Sequence, residues 1–271
     1  MKIDNSGAKL WHFCPNAYRL RYIRGLELDW EKLQGYPPAK GFGTRMHELL
    51  EEHYKGVQMF GVHPPSASEV VEVEAQTTFA AYKGFWLEEP WEVLAVERTF
   101  ELPLGRHIYA GKLDLVVRSV EGWLGLVDHK TERRNSYRNR PEAWAARYQP
   151  ALYKWAAEQL YGEPVRQIIV NVITRQSEKG QMPPAFRRDG LERSEEQVQE
   201  ALANMEWTAE QIERCLAEFG PERMWPADRE NCMQGNFRCE YYSIDVTAGG
   251  KETEEILRMY RPAEAYLRDE V

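Results

Sequence analysis

The sequence lacks long apolar runs and is poor in cysteine. No window approaches the roughly 18 consecutive apolar residues that a membrane-spanning helix needs, and no basic start leads into an apolar stretch of the secretory kind. Four cysteines in 271 residues are too few for the disulfide framework of a secreted protein. We therefore expect a soluble, intracellular protein that makes no contact with a membrane.

Acidic residues outnumber basic residues in this chain. The formal net charge is -8, which excludes nucleic-acid binding through a uniformly basic surface, because phosphate neutralisation needs clustered Lys and Arg. Any such binding has to come from a local cluster. The candidate cluster holds Lys130, Arg133, Arg134, Arg138, Arg140 and Arg147. An ordinary solvated face is the alternative interpretation of this stretch.

Two further absences bear on the organisation of the chain. No Ser/Gly/Pro linker or low-complexity tract divides it, so we predict one elaborated domain over residues 1–271. The phosphate loop Gly-x-x-x-x-Gly-Lys is missing as well. Its absence excludes an attached helicase motor and argues against a hydrolase of small phosphorylated substrates.

Periodicity and turn signals predict alternating helices and strands. Ser66-x-x-Glu69 and Ser194-x-x-Gln197 have the spacing of capping boxes that open helices. The predicted helices lie near residues 8–23, 44–55, 66–84, 141–161 and 194–219. The predicted strands lie near residues 92–102, 107–118, 122–129 and 165–174. This order predicts an α/β fold with a mixed central sheet, a helical crossover and flanking helices.

Two carboxylates and an amine lie at adjacent predicted strand ends. Asp114 lies near the end of one apolar strand, and Asp128-x-Lys130 ends the next. Strand alternation places Asp128 and Lys130 on the same face. Hard cations such as Mg²⁺ or Mn²⁺ prefer oxygen ligands, and a nearby ammonium can stabilise charge that develops at phosphorus. The pattern indicates metal-dependent phosphodiester cleavage, with a surface salt bridge as the alternative.

Two helical motifs add polar groups to this prediction. His47 borders the apolar stripe of the second helix and offers an imidazole as a further metal ligand. Gln149-x-x-x-Tyr153 aligns an amide and a phenol on one face of the crossover helix. Ordinary packing explains either motif taken alone. The two motifs support the prediction of a metal site because they occur in the same chain as the acidic strand motifs.

Taken together, these motifs resemble those of a known nuclease family. In chain order they are Gly43-x-x-x-His47, Glu97, Gly111-x-x-Asp114, Asp128-x-Lys130-Thr131 and Gln149-x-x-x-Tyr153. The series resembles the RecB-like branch of the PD-(D/E)XK superfamily, which includes CRISPR-associated and phage exonucleases. The resemblance implies a restriction-endonuclease-like core over about residues 41–175. It also implies helical elaborations at residues 6–24 and 194–271 that pack together.

The resemblance assigns roles to individual residues. It implies Mg²⁺ or Mn²⁺ bound by His47, Asp114 and Asp128, with Lys130 as the catalytic lysine. Gln149 and Tyr153 are implied to be catalytic residues beside the DNA. The role of the acidic position Glu97 stays open. We expect DNA contacts from Arg133, Arg134, Tyr137, Arg138, Arg140 and Arg147, and base stacking from Tyr137 and Trp144.

The four cysteines relate to a second feature of this family. Many RecB-like nucleases join their chain ends through an iron-sulfur cluster held by one N-terminal and three C-terminal cysteines. Cys14, Cys232 and Cys239 match three of these positions, and a complete set needs either Cys215 or Asp245. An iron-sulfur cluster, a zinc ion and a degenerate, metal-free tail are the alternatives at this point.

The resemblance implies a DNA exonuclease that acts on single-stranded or duplex ends in recombination, repair or end processing. A helicase or recombination partner and the cytoplasm of a prokaryotic or phage-infected cell fit this role. The alternatives are a non-catalytic DNA-binding or assembly subunit with a nuclease fold and a structure-specific endonuclease.

Overall fold

The computed structural model describes residues 1–29, 38–56, 69–132, 140–176, 182–234 and 237–263. The chain forms two compact units. The unit that contains both chain ends, here called the terminal unit, comprises Met1–Gly35, Glu101–Gly111 and Leu202–Val271. The other, here called the sheet unit, comprises Tyr36–Phe100 and Lys112–Ala201. The prediction of a single domain stays a prediction.

The element order is as follows. The strands are β1 (Lys2–Ile3), β2 (Leu26–Leu28), β3 (Trp91–Leu104), β4 (His107–Ser119), β5 (Leu124–Glu132), β6 (Val165–Thr174), β7 (Ala185–Leu191), β8 (Met233–Gln234), β9 (Phe237–Arg238) and β10 (Tyr260–Pro262). The α-helices are α1 (Asn5–Phe13), α2 (Pro15–Tyr18), α3 (Pro38–Lys55), α4 (Glu69–Phe85), α5 (Pro141–Ala145), α6 (Gln149–Tyr161), α7 (Glu195–Phe219) and α8 (Glu254–Leu257). Two π-helical turns and a 3₁₀ turn cover Arg19–Ile23, Ser243–Thr247 and Arg229–Cys232.

The central sheet is mixed, as the sequence predicts. Its strand order is β1-β4-β5-β6-β7, and β3 pairs with β4. The β4–β5 and β6–β7 pairs are antiparallel, whereas β5 and β6 run parallel on either side of the predicted helical crossover. The predicted α/β class is confirmed. Strand β7 was not predicted, because its central residues Arg187, Arg188 and Asp189 break the apolar pattern of a strand.

Helices cover apolar surface within the sheet unit. Phe42, Met46 and Leu50 on α3 are buried against residues of α4 such as Ala75 and Tyr82. A second cluster joins Val127 of β5 with apolar residues of its neighbouring strands. This packing holds α3 beside the middle of the sheet, where the candidate site lies.

Two predicted helices are each broken at a proline. The first predicted helix divides at Cys14, which has an extended backbone (φ -167, ψ 114) directly before Pro15. The crossover divides into α5 and α6, with Pro150 in the first turn of α6. Pro15 disfavours a helical conformation of Cys14, and Pro150 has no N–H to donate to the preceding turn, so each helix restarts near its proline. The predictions of single helices over 8–23 and 141–161 are therefore wrong.

The terminal unit brings segments from both chain ends together. The Asn16 side chain accepts a hydrogen bond from the Trp225 backbone N–H at 3.0 Å, and the Asn16 N–H donates to the Pro226 carbonyl at 3.2 Å. Arg19 is fully buried and pairs with Glu252 at 2.8 Å. Strand β10 pairs antiparallel with β2. Buried hydrogen bonds and one buried ion pair therefore join residues that are more than 200 positions apart.

The two expected capping boxes differ in outcome. Ser194 Oγ accepts from the Gln197 N–H at 3.3 Å, and Gln197 Oε1 accepts from the Ser194 N–H at 3.0 Å, so this box opens α7 as predicted. Ser66 lies outside the described residues.

Within the described ranges, every helix is too short or too polar to cross a lipid bilayer.

Candidate metal and catalytic site

Asp114 and Asp128 meet where two neighbouring strands separate. The antiparallel register of β4 and β5 runs from Arg118↔Leu124 to Leu115↔Val127. At the next position the Asp114 side chain, through Oδ2, accepts the His129 N–H at 2.7 Å. Both aspartates lie inside long strands, so the expectation that they lie at strand ends is wrong. The strands continue because β1 pairs with the start of β4, and β6 pairs with β5 as far as Glu132.

Lys130 is held against Asp128. Its Nζ lies 2.7 Å from each carboxylate oxygen of Asp128, as alternation along the strand predicts. Burial alone lowers the pKa of Lys130, but the carboxylates of Asp128 and Asp114 outweigh this effect and raise the pKa. The side chain is therefore an ammonium at neutral pH, and one positive charge lies inside the acidic cluster.

Three potential ligands converge beside this ion pair. His47, Glu97 and Asp114 each offer one ligand atom, and these three atoms lie within 4.8 Å of one another. His47 Nδ1 is 3.9 Å from Asp114 Oδ2. Burial raises the pKa of Asp114, and burial followed by the charge of Lys130 lowers the pKa of His47. A neutral imidazole and two carboxylates form a donor set that fits Mg²⁺ or Mn²⁺.

Glu97 is the residue whose role the sequence left open. It lies within β3 at φ 51, in the left-handed region, and is the only described non-glycine residue with a positive φ. Such a backbone costs free energy and is concentrated at functional sites. The carboxylate forms an ion pair with Lys112 and shares the ligand group with His47 and Asp114. The sequence signals were an acidic residue in an apolar strand and the match of Glu97 to a recurrent acidic position of the RecB-like motifs.

Asp128 is adjacent to the ligand group and not part of it. Its carboxylate is buried and engaged by Lys130, whereas the converging ligand atoms come from His47, Glu97 and Asp114. Burial raises the pKa of Asp128, and the nearby charges of Lys130 and Asp114 modify it further. The structure therefore brings two of the three sequence-derived ligands, His47 and Asp114, together with Glu97, and it places Asp128 beside them.

Gln149 and Tyr153 lie next to the two aspartates. Both side chains line a narrow cavity of about 10 Å³ together with Asp114 and Asp128. Tyr153 also packs edge to face on Phe100, at 6.3 Å between ring centroids. The start of α6 thus brings an amide and a phenol to the carboxylates, as the i, i+4 spacing indicates.

A buried polar network lies behind the site. Asn171 donates through Nδ2 to His129 Nδ1 at 2.8 Å and to the Tyr82 hydroxyl at 2.9 Å. The His129 ring stacks on Tyr54 and contacts His47 edge to face at 6.2 Å. Burial holds the pKa of His129 well below its ordinary value, so its ring is neutral. The network limits the positions that His47 can adopt.

Replacing Asn171 with leucine is expected to destabilise the protein. The change leaves the buried His129 Nδ1 without its partner, whereas the Tyr82 hydroxyl keeps Tyr54 and Arg188, and we expect a loss of about 1–3 kcal/mol of unfolding free energy. Urea denaturation followed by circular dichroism measures the loss. Gln199→Leu, at an exposed position of α7, is the control and should change stability little. Equal stability of the Asn171 variant and wild type would contradict the role of this network.

The expected DNA contacts are described only in part. Arg133, Arg134, Tyr137 and Arg138 lie outside the described residues. Arg140 is exposed, and Arg147 lies over the Trp144 ring at 3.8 Å from its centroid.

Trp144 itself is 1% exposed. Its ring also lies 5.6 Å from Lys130 Nζ. The prediction that Trp144 stacks on a base is therefore wrong, because this ring packs against cations inside the protein.

The cysteines occupy two environments in the terminal unit. Cys14, Cys232 and Cys239 are buried in one hydrophobic cluster. Cys215 is partly exposed on α7 and does not belong to that cluster. Of the two alternatives for a fourth ligand, Asp245 is fully buried within the π-helical turn whose Ile244 belongs to the same cluster.

Comparisons with known proteins agree with this architecture. The sequence matches the model of the PD-(D/E)XK nuclease superfamily over residues 6–244. No protein of curated function matches it. The crystal structure of a protein from Eubacterium rectale, provisionally named an exonuclease, is 15% identical with a TM-score of 0.52. The alignment covers 92% of this chain and 93% of that one. The structure of SSO0001, also 15% identical, covers 67% of this chain and 81% of its own, with a TM-score of 0.31.

Proposed function

This chain belongs to the PD-(D/E)XK nuclease superfamily, and from that premise we propose that it is a divalent-metal-dependent exonuclease that hydrolyses phosphodiester bonds of DNA. Membership of the superfamily supports the nuclease itself. The metal, the attack on DNA ends and the cellular process are the proposed parts.

One observation carries the proposal. The imidazole of His47 and the carboxylates of Glu97 and Asp114 converge within 4.8 Å beside the Asp128–Lys130 pair. A structural ion pair on a protein surface does not need a third acid, an imidazole and a strained backbone at the same point. The cluster has the composition that phosphodiester hydrolysis requires: ligands for a hard cation and a fixed positive charge.

A bound Mg²⁺ or Mn²⁺ would lower the pKa of attacking water and offset negative charge on the phosphate oxygens. His47, Glu97 and Asp114 would hold it, with Asp128 at the edge of the ligand set. Lys112 would then give up its ion pair with Glu97, and its ammonium would remain next to the site.

The other residues act on the phosphate. The Lys130 ammonium, fixed by Asp128, lies where it can stabilise charge that builds on the phosphoryl oxygens in the transition state. Gln149 and Tyr153 carry donors that can orient the phosphodiester above the carboxylates. Arg140 is exposed and close in sequence to these residues, so it can contact the DNA backbone.

The preference for DNA ends rests on the RecB-like motifs, because members of that branch mostly trim ends. We further propose that the protein acts in recombination, repair or end processing, together with a helicase or recombination protein. A structure-specific endonuclease would use the same site, so only the products of the reaction distinguish the two activities.

The proposed activity is testable with end-labelled DNA. We expect wild-type protein to release short products from labelled single-stranded or duplex DNA with Mg²⁺ or Mn²⁺, and none with EDTA. A covalently closed circle of the same sequence should resist cleavage. Cleavage of the circle would show an endonuclease. No cleavage of any DNA with either cation would favour a non-catalytic DNA-binding subunit, which a gel-shift assay with the same DNA would then detect.

A further inference from the structure

Three thiols and one carboxylate share the interior of the terminal unit. Cys14, Cys232 and Cys239 belong to one buried cluster, and the Cys239 N–H donates to the Cys232 carbonyl at 3.0 Å. The π-helical turn that follows contains Asp245, and its backbone N–H donates to the Tyr241 carbonyl at 2.9 Å. Residues from the two ends of the chain thus bring four acidic side chains into one apolar region.

The Asp245 carboxylate is only half satisfied. Its Oδ1 accepts a hydrogen bond from Asn16 Nδ2 at 2.6 Å. Its Oδ2 is buried and has no hydrogen-bond partner among the described residues. Leaving such an oxygen unpaired is costly, because a buried carboxylate needs a counter-charge or several donors. The charges of Arg19 and Arg229 offset part of this cost by lowering the pKa of Asp245, but Oδ2 itself accepts no hydrogen bond from the described residues.

Asp245 lies close to all three cysteines. Its charge contributes to the raised pKa of the Cys14, Cys232 and Cys239 thiols. Thiolates and carboxylates are both ligands of iron, so the composition of this group suits an iron-sulfur cluster.

We propose that Asp245 supplies the fourth ligand of an iron-sulfur cluster whose other ligands are Cys14, Cys232 and Cys239. The chain would thus hold the cluster through three thiolates and one carboxylate, where the family uses four thiolates. The orphaned Oδ2 of Asp245 is the atom that would bind iron. This inference goes beyond the proposed nuclease activity and does not depend on it.

The spacing of the ligands distinguishes a cluster from a single zinc ion. Four ligands at about 2.3 Å around one zinc lie about 3.8 Å from one another. Among the described residues, the set of His, Cys, Asp and Glu ligand atoms that converges within 4.8 Å is the one at His47, Glu97 and Asp114. Among the described residues, the three thiols and Asp245 are not a convergent set of the kind that one zinc ion needs. A polynuclear cluster distributes its ligands over several metal atoms, so it does not require them to converge in this way.

Cys215 is the competing fourth ligand. Its side chain belongs to α7 and is partly exposed, outside the cluster that holds the other three cysteines. Glu218 on the same helix is the charged neighbour that acts on its thiol. Cys215 thus lies apart from the three buried thiols, whereas the charge of Asp245 contributes to the raised pKa of each of them. Cys215→Ser is therefore a matched control that removes a thiol and leaves the proposed ligand set intact.

The test measures metal content and spectra, without a nuclease assay. Full-length protein, purified anaerobically from iron-replete cells, is analysed for iron, zinc and acid-labile sulfide and by visible absorption. We expect iron and sulfide in the wild type and in Cys215→Ser, and loss of most of the iron in Cys232→Ser and Asp245→Ala. Asp245→Cys should retain iron with a changed absorption spectrum, because a thiolate replaces the carboxylate on one iron. Near-ultraviolet circular dichroism identifies variants that have not folded.

Several results would overturn the proposal. Wild-type protein that contains zinc in place of iron, or that contains no iron, would contradict the proposed cluster. Full iron content in Asp245→Ala, or an unchanged spectrum in Asp245→Cys, would remove Asp245 from the ligand set. Loss of iron in folded Cys215→Ser would assign the fourth position to Cys215. Because none of these measurements uses DNA cleavage, failure of the nuclease proposal would leave their meaning unchanged.

Discussion

Asp114→Asn is expected to lower the rate of DNA cleavage with Mg²⁺ by about a thousandfold or more. The Asp114 carboxylate lies within the ligand group and also accepts the His129 N–H where β4 and β5 separate. The amide keeps the size of the side chain, so the fold is retained. It removes one negative charge at the point where the proposed cation binds. Single-turnover cleavage of an end-labelled oligonucleotide measures the loss.

A matched acid on the same sheet serves as the control for this variant. Glu92 is an exposed residue of β3, so Glu92→Gln removes an equal charge without touching the site. It should retain wild-type activity. Asp128→Ala should also lose most activity, because it removes the partner that fixes Lys130. Near-wild-type cleavage by a folded Asp114→Asn variant would contradict the proposed metal site.

Lys130→Met is expected to reduce cleavage by about 10²–10³-fold while Mn²⁺ binding persists. The lysine is not in the ligand group, and its ammonium contacts Asp128 from the same face of β5. Methionine is close to lysine in length and apolar, so it keeps the packing against Trp144 and removes the charge. We expect the slower cleavage because the Lys130 ammonium no longer stabilises the negative charge that develops around phosphorus in the transition state. Cleavage rates and Mn²⁺ binding followed by electron paramagnetic resonance separate the two effects.

Lys83→Met is the control for this second prediction. Lys83 is exposed near the end of α4, where its Nζ lies 5.0 Å from the Phe79 ring centroid. Removing its charge should leave cleavage unchanged. If Lys130→Met and Lys83→Met cleaved DNA equally well, Lys130 would be a structural partner of Asp128 and not a catalytic residue. Loss of Mn²⁺ binding in Lys130→Met would instead show that the lysine positions the ligands.

Much of the candidate site could be predicted because its residues follow local rules. Alternation along a strand is a property of the backbone, so Asp128-x-Lys130 had to present both side chains on the same face of β5. The i, i+4 relation on a helix likewise aligns Gln149 with Tyr153. The mixed sheet follows from the order of strands and one helical crossover. None of these inferences requires knowledge of distant contacts.

The less successful predictions have physical causes. Trp144 looked available for stacking because tryptophan suits nucleic-acid contacts, but its burial under Lys130 and Arg147 depends on side chains from separate segments. Strand β7 carries charges because, among the strands that the structure describes, it pairs with β6 alone. The helix breaks at Cys14 and over residues 146–148 could have been predicted from the sequence, since a proline, Pro15 or Pro150, lies in the first turn of the helix that follows each break.

The sequence by itself determined the class of the fold, the order of the motifs and the pairing of Asp128 with Lys130, because these depend on hydrophobic period and short spacings. Only the tertiary structure decided that Glu97 joins His47 and Asp114, through a left-handed backbone inside β3. Only the tertiary structure distinguished Asp245 from Cys215 as a neighbour of the buried thiols. Both decisions depend on contacts between residues far apart in the chain, and no local pattern of residues encodes such contacts.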